Sequence, residues 1–167
     1  MINLDNKIID EYLKNNLNII YNHFNSNIYL LGGSIKDLLL GNSPRDIDII
    51  VLCDNDEEIK SLIEKYKIEY VKNHFNGYKL KYNGLEIDIW NTNDFYKCIQ
   101  YNFDGLFYDI KNKIFLPFGF YDAIESQILK EINPSVIKKR TTQNIEKDIS
   151  RKEKAKILIK KLGDFNE

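Results

Sequence analysis

Between residues 4 and 24 the apolar positions Ile8, Ile9, Tyr12, Leu13, Leu17, Ile19, Ile20 and Phe24 recur at mostly helical spacing. This predicts one broken or two short amphipathic helices packed on a sheet. At Tyr29 the pattern changes. An apolar run stops at Gly32-Gly33-Ser34, a short helix follows, and after a second turn comes DIDIIVL, a strand ending at Leu52. Strand side chains alternate between faces, so Asp46 and Asp48 point the same way while Ile47 and Ile49 to Val51 fill the rest. Asn55-Asp-Glu-Glu58 resembles a capping box and predicts a helix through about Lys65, with Ile59, Leu62 and Ile63 on its buried side. Three strand-like pieces follow, Ile68–Val71, Tyr78–Tyr82 and Leu85–Trp90. Asn83-Gly84 between the last two is a strong hairpin signal. By the same alternation Glu86 and Asp88 share one strand face. These elements predict an α+β fold with a small mixed central sheet and helices on one side.

The end of the chain has a different character. Residues 133–161 are helical in pattern, and between 138 and 161 stand ten Lys or Arg against three acids. Ala155, Leu158, Ile159 and Leu162 form a packing stripe. A basic amphipathic helix of this kind can touch a nucleic-acid backbone, although a solvated outer face is the commoner outcome for such a charge run. The expected division is a head over residues 1–130 and a basic helical appendage over 131–167.

Composition narrows the picture less. A chain of 167 residues is long enough for one core, and its 11 Tyr and 9 Phe are those of a globular protein. The net charge of −1 gives no global electrostatic argument for nucleic acid. Cys53 and Cys98 make neither a zinc pattern nor a disulfide framework, so both are expected reduced in a cytoplasmic protein. No leader or membrane-spanning run is expected, since Met1 leads straight into a polar, helix-like segment. His23 is expected to be exposed or to cap its helix. His74–Gly77 (HFNG) is expected to be a plain turn rather than a catalytic site.

The chemistry gathers between Tyr29 and Leu52. Two carboxylates side by side repel and resist desolvation, so a cation is expected between them. A hard divalent ion such as Mg²⁺ suits oxygen ligands and usually arrives with substrate phosphates. Gly32 and Gly33 precede a helix, where bare N–H groups and the positive helix end favour an anion. A phosphate cradle beside a carboxylate pair is the layout of nucleotide chemistry.

The residues GGSIKDLLLGNSPRDIDI also resemble the head domain of poly(A) polymerases and CCA-adding tRNA nucleotidyltransferases, within the DNA polymerase β-like nucleotidyltransferase superfamily. The Gly pair, Asp37, Leu39, Leu40, Gly41, Pro44, Asp46 and Asp48 fit that pattern, with Lys36 where the family usually has Arg. The resemblance implies a nucleotidyltransferase head fold and a third carboxylate from a strand beside the D-x-D strand. Asp88, in the phrase EIDIW, is the choice and Glu86 the reserve. The likeness extends through Ile99 to Ser126, where Asn102, Gly105, Leu106, Tyr108, Asp109, Pro117, Gly119 and Asp122 stand in approximate register. Ile99 and Gln100 occupy the place of the Arg that would touch the incoming nucleotide, which weighs against ATP/CTP selection of the CCA-adding kind. Asn102 and Asp104 either shape the site or make Asx turns.

The resemblance implies transfer of a nucleoside monophosphate from an NTP to an acceptor hydroxyl, with pyrophosphate released. Gly32, Gly33, Ser34 and Lys36 are the expected nucleotide-binding residues. Asp46, Asp48 and Asp88 are the expected catalytic and metal-binding ones, with two Mg²⁺ ions, or Mn²⁺ in their place. The acceptor is an RNA end, tRNA included, or a small molecule or protein side chain. The competing reading is a catalytically silent nucleotide-binding module. No membrane partner is expected.

Overall fold

The computed structural model describes residues 4–73, 77–133, 149, 152–153 and 155–161. Residues 74–76 of the HFNG turn, and from the basic tail residues 138–148 and Leu162, lie outside them. Leu17 separates two helices, α1 (Asn6–Asn16) and α2 (Asn18–His23), as the interrupted apolar spacing predicts. The strands are β1 (Ile28–Leu31), β2 (Asp46–Leu52), β3 (Glu69–Lys72), β4 (Tyr78–Tyr82), β5 (Leu85–Thr92), β6 (Leu106–Asp109) and β7 (Ile114–Pro117). They form one seven-stranded sheet in the order β3-β4-β5-β2-β1-β6-β7. β2 and β5 run parallel, whereas β1–β2, β1–β6, β3–β4 and β4–β5 are antiparallel. The expected mixed α+β sheet is therefore present. β6 and β7 extend it beyond the strands marked by alternation.

Register divides the sheet into two unlike faces. Ile28, Leu30, Ile47, Ile49, Val51, Tyr78, Leu80, Ile87 and Ile89 share one of them and are all buried. The Tyr78 hydroxyl donates to Asp56 at 2.7 Å, at the start of α4 (Glu57–Tyr66), which puts that helix over this face. Tyr108, the β6 partner of Leu30, lies on it as well. Burial raises the pKa of its phenol, and Asp10 of α1 and Tyr21 of α2 are near enough to push it further up. The opposite face carries Lys79, Lys81, Glu86, Asp88, Asp46 and Asp48. This second face is mixed, because Tyr29, Leu31, Ile50 and Phe107 share it by register and are buried. Burial of apolar side chains drives the architecture, and the charged residues are left at the part of that face made by β2, β5 and β4.

Two local expectations differ. The capping box at the start of α4 does not form: Asn55 Oδ1 accepts the Glu57 N–H at 3.1 Å. Glu58 instead reaches the α2–β1 turn, where it accepts the Asn25 N–H at 2.7 Å, the Ser26 N–H at 3.1 Å and the Ser26 hydroxyl. A distant turn with three donors outcompetes the local backbone. His23, expected to be exposed or capping, is half-buried, with Nε2 3.0 Å from the Glu58 carbonyl and its ring edge-on to Phe24 and Tyr66.

The chain forms two compact units. One comprises residues 4–95 and 107–116 and holds the helices and strands above, save the ends of β6 and β7. The other takes in residues 96–106 and those from 117 onward. In that second unit α5 (Phe120–Ser126) places Phe120 against Phe103, with ring centroids 5.6 Å apart. Residues 155–161 are helical, and Ala155 and Ile159 of the packing stripe are buried. Among the described residues no helix is long and apolar enough to cross a membrane. Among the described residues neither Cys53 nor Cys98 forms a disulfide.

Glu58 generates a pH prediction. Burial opposes its charged form, but the Ser26 hydroxyl, the Ser26 and Asn25 N–H groups and the charge of Lys111 outweigh it and lower the pKa. A depressed carboxylate stabilises the fold above its unfolded pKa, and that contribution is lost as pH falls through the folded one. Urea denaturation of Glu58→Gln is expected to show a deficit of about 1–3 kcal/mol at pH 7, narrowing below about pH 4. A deficit independent of pH would contradict this. The buried Tyr108 hydroxyl has no hydrogen-bond partner among the described residues. Tyr108→Phe is accordingly expected to be neutral or to stabilise by up to about 1 kcal/mol in the same assay.

Candidate active site

The polar face is built by three pairings. β1 lies antiparallel to β2 with Leu31 opposite Asp48, so the chain leaving β1 turns directly beside that carboxylate. β2 lies parallel to β5 with Asp46 opposite Glu86 and Asp48 opposite Asp88. β4 closes the other side through the Asn83-Gly84 hairpin, with Lys79 opposite Asp88 and Lys81 opposite Glu86. Asn83 and Gly84 have φ of 51° and 76°. These are the positive values that a two-residue type I′ turn requires, and such a turn fixes the register.

Asp46 is exposed, and Asp48 and Asp88 are half-buried. Burial raises the Asp88 pKa; Lys79 opposes the shift, while the negative charges of Asp46 and Glu86 add to it. A carboxyl held up by burial, and further by neighbouring acids, suits a proton acceptor or a ligand for a cation.

Gly32 follows β1 with φ 81° and caps the short helix α3 (Gly33–Leu39). A Cβ built there would stand 2.8 Å from Asp48 Oδ2, so the carboxylate rests against bare backbone. Both the backbone angle and the space require glycine. At Gly33 a Cβ would meet nothing within 4 Å, leaving open room beside the first turn of α3.

The other two expected nucleotide-binding residues are placed differently. Ser34 is buried and its hydroxyl donates to the Leu31 carbonyl at 3.3 Å, so its proton braces the turn. Lys36 is only 5% exposed. In this state its ammonium is not presented to solvent, where a triphosphate would meet it.

The residues of the later segment serve the second unit's own architecture. Asn102 is buried; its Nδ2 donates to the Ile128 carbonyl at 2.9 Å, and its Oδ1 accepts the N–H groups of Phe103 and Lys130, each at 3.0 Å. Asp104 accepts the Tyr101 N–H at 3.3 Å. Of the two roles open to Asn102 and Asp104, these contacts favour the structural one. Lys79 was not marked by the sequence patterns. The signal was present, because a two-residue turn at 83–84 sets residue 79 opposite residue 88.

Among the described residues no three His, Cys, Asp or Glu side chains are gathered closely enough to hold a metal ion unaided. The donors still suit a hard cation, since Asp48 and Asp88 offer oxygen from adjacent strands. Magnesium is commonly held by one or two carboxylates and completed by substrate phosphates and water.

Residues 28–99 match the family model of the poly A polymerase head domain, which bears out the resemblance carried by the GGSIKDLLLGNSPRDIDI stretch. No curated protein sequence matches the chain. Among solved structures, a CCA-adding enzyme complexed with ATP is 24% identical, with a TM-score of 0.56 over 77% of this chain and 34% of its own. The Thermotoga maritima CCA-adding enzyme complexed with tRNA is 23% identical, with a TM-score of 0.57 over 77% and 33%. A tRNA-processing enzyme in an apo form gives 0.57 at 16% identity over 72% and 36%. The chain thus shares their nucleotidyltransferase head fold and spans about a third of their length.

Gly32→Ala isolates the contact between turn and carboxylate. It is expected to cost about 1–3 kcal/mol from the positive φ. Displacement of Asp48 should weaken divalent-ion binding beyond what the stability loss explains. Thermal unfolding with and without Mn²⁺ checks this; a loss of stability with unchanged metal-induced stabilisation would contradict it.

Proposed function

We propose that this chain, whose residues 28–99 carry a poly(A) polymerase-type head in the nucleotidyltransferase fold, transfers a nucleoside monophosphate from an NTP to the terminal hydroxyl of an RNA. The observation that carries this reading is the face on which Asp48 and Asp88 stand side by side, with the bare Gly32 backbone against Asp48. The RNA acceptor is favoured because the solved structures of the same fold include enzymes complexed with tRNA and with ATP.

Asp46, Asp48 and Asp88 would hold the divalent ion, magnesium or manganese, with a second shared at Asp88; bound there, it neutralises phosphate charge and acidifies the acceptor hydroxyl. The chain's own residues do the rest. The open backbone at Gly33 receives the phosphate end of the NTP, where N–H groups donate and no side chain stands near, while Gly32, backed by Asp48, turns the chain into that position. Ser34 braces that turn through Leu31, and Lys36 supplies positive charge within α3. The acceptor oxygen attacks the α-phosphorus, the bond to the β-phosphate oxygen breaks, and pyrophosphate leaves with that electron pair. Asp88 takes the acceptor proton, a task suited to a carboxylate with a raised pKa.

Incubation with each α-labelled NTP, Mg²⁺ and total RNA tests the reading. Label is expected on RNA, and Asp48→Asn is expected to lower the rate by at least about a hundredfold while leaving the melting temperature close to wild type. Label moving to a small molecule instead would change the acceptor and keep the chemistry. NTP binding without pyrophosphate release, or full activity in Asp48→Asn, would overturn the transferase reading.

A further inference from the structure

Strand β4 brings two lysines to the acid face, and they are engaged differently. Lys81 stands across from Glu86 in register, yet its ammonium lies 4.0 Å from Glu69 on the edge strand β3. Lys79 stands across from Asp88, and its ammonium lies 3.8 Å from Glu86 Oε2, a diagonal contact. Glu86 is thus paired toward β4, although register also sets it beside Asp46 on β2. Four carboxylates share this face, and the Lys79 contact draws one of them, Glu86, toward β4.

We propose that Lys79 is a positioning residue: it holds Glu86 toward β4, keeps it out of the divalent-ion shell of Asp46, Asp48 and Asp88, and so limits how tightly that shell grips the ion. This rests on the function proposed above. A fourth carboxylate would strengthen the electrostatic hold and raise the number of oxygen ligands, which favours a large ion such as Ca²⁺ over Mg²⁺. An ion that arrives with a triphosphate and departs with pyrophosphate is better served by a shell that releases it. Lys79 and Glu86 are each about half exposed, at 48%. The pair is therefore of little worth to the fold, where exposed ion pairs contribute little, and its consequence falls on the ligand.

Mn²⁺ titration of the full chain, followed by the electron paramagnetic resonance of free ion, tests this in wild type, Lys79→Met, Glu86→Gln and the double variant. Lys79→Met is expected to tighten Mn²⁺ binding by about five- to tenfold. The gain should shrink in high salt, which screens an exposed charge. Glu86→Gln alone should stay within about twofold of wild type, and the double variant should lose most of the gain, because the freed carboxylate is gone. Lys79→Arg should bind as wild type does, and Lys79→Gln replaces the Met variant if that one fails to fold. Unchanged or weaker binding in the neutral variant, or a gain that survives in the double variant, overturns the Lys79 role. Wild-type binding no tighter than that of Asp48→Asn overturns the metal-dependent reading and the Lys79 role together, which separates the two failures.

Discussion

One pairing decides where the chemistry can occur: β2 beside β5, parallel and in register, within an otherwise largely antiparallel arrangement. Parallel strands in register present side chains on the same face at the same level, so Asp48 and Asp88 become neighbours although forty residues of chain separate them. A slip of one residue would send one acid into the helix-covered core and an isoleucine to solvent. The fully buried Ile47, Ile49, Ile87 and Ile89 forbid that slip. The apolar face thus sets the register, and the register sets the site. This division is why acids that repel each other can stand together: the energy holding them comes from the opposite side of the sheet.

The turn after β1 depends on the same frame. Leu31 is tied opposite Asp48, so the backbone at Gly32 cannot avoid that carboxylate, and glycine is what fits both the positive φ and a space in which a Cβ would stand only 2.8 Å from Asp48 Oδ2. Ser34 locks the turn from inside through the Leu31 carbonyl. Local sequence and long-range pairing therefore converge on one place. Lys79 and Glu86 add a smaller adjustment from the next strand, by which the hairpin affects the acid face without belonging to its core.

The parts legible in the sequence were those governed by local periodicity. The D-x-D alternation, the Gly-Gly turn, the paired helices near the start and the Asn83-Gly84 hairpin each depend on neighbours within a few residues. The β2–β5 pairing was anticipated only through the family resemblance, since nothing local states which strands lie side by side. Glu58 shows the limit of local patterns, because its capping partner was in competition with a turn more than thirty residues away. Ser34 and Lys36 show the same limit at the site. Their types suggested ligand contacts, whereas packing turns Ser34 to the backbone and buries Lys36. The role of Asn102 was open for the same reason, its partners at Ile128 and Lys130 being set by tertiary folding.

The most direct measurement is a crystal structure of the full chain grown with Mn²⁺ and a non-hydrolysable NTP, with the anomalous signal locating the ion. The account expects an anomalous peak within ligand distance, about 2.0–2.3 Å, of carboxylate oxygens from both Asp48 and Asp88, with the triphosphate lying along Gly32 and Gly33. A bound nucleotide whose ion sits elsewhere, or a turn at Gly32 still closed against the phosphates, would contradict it.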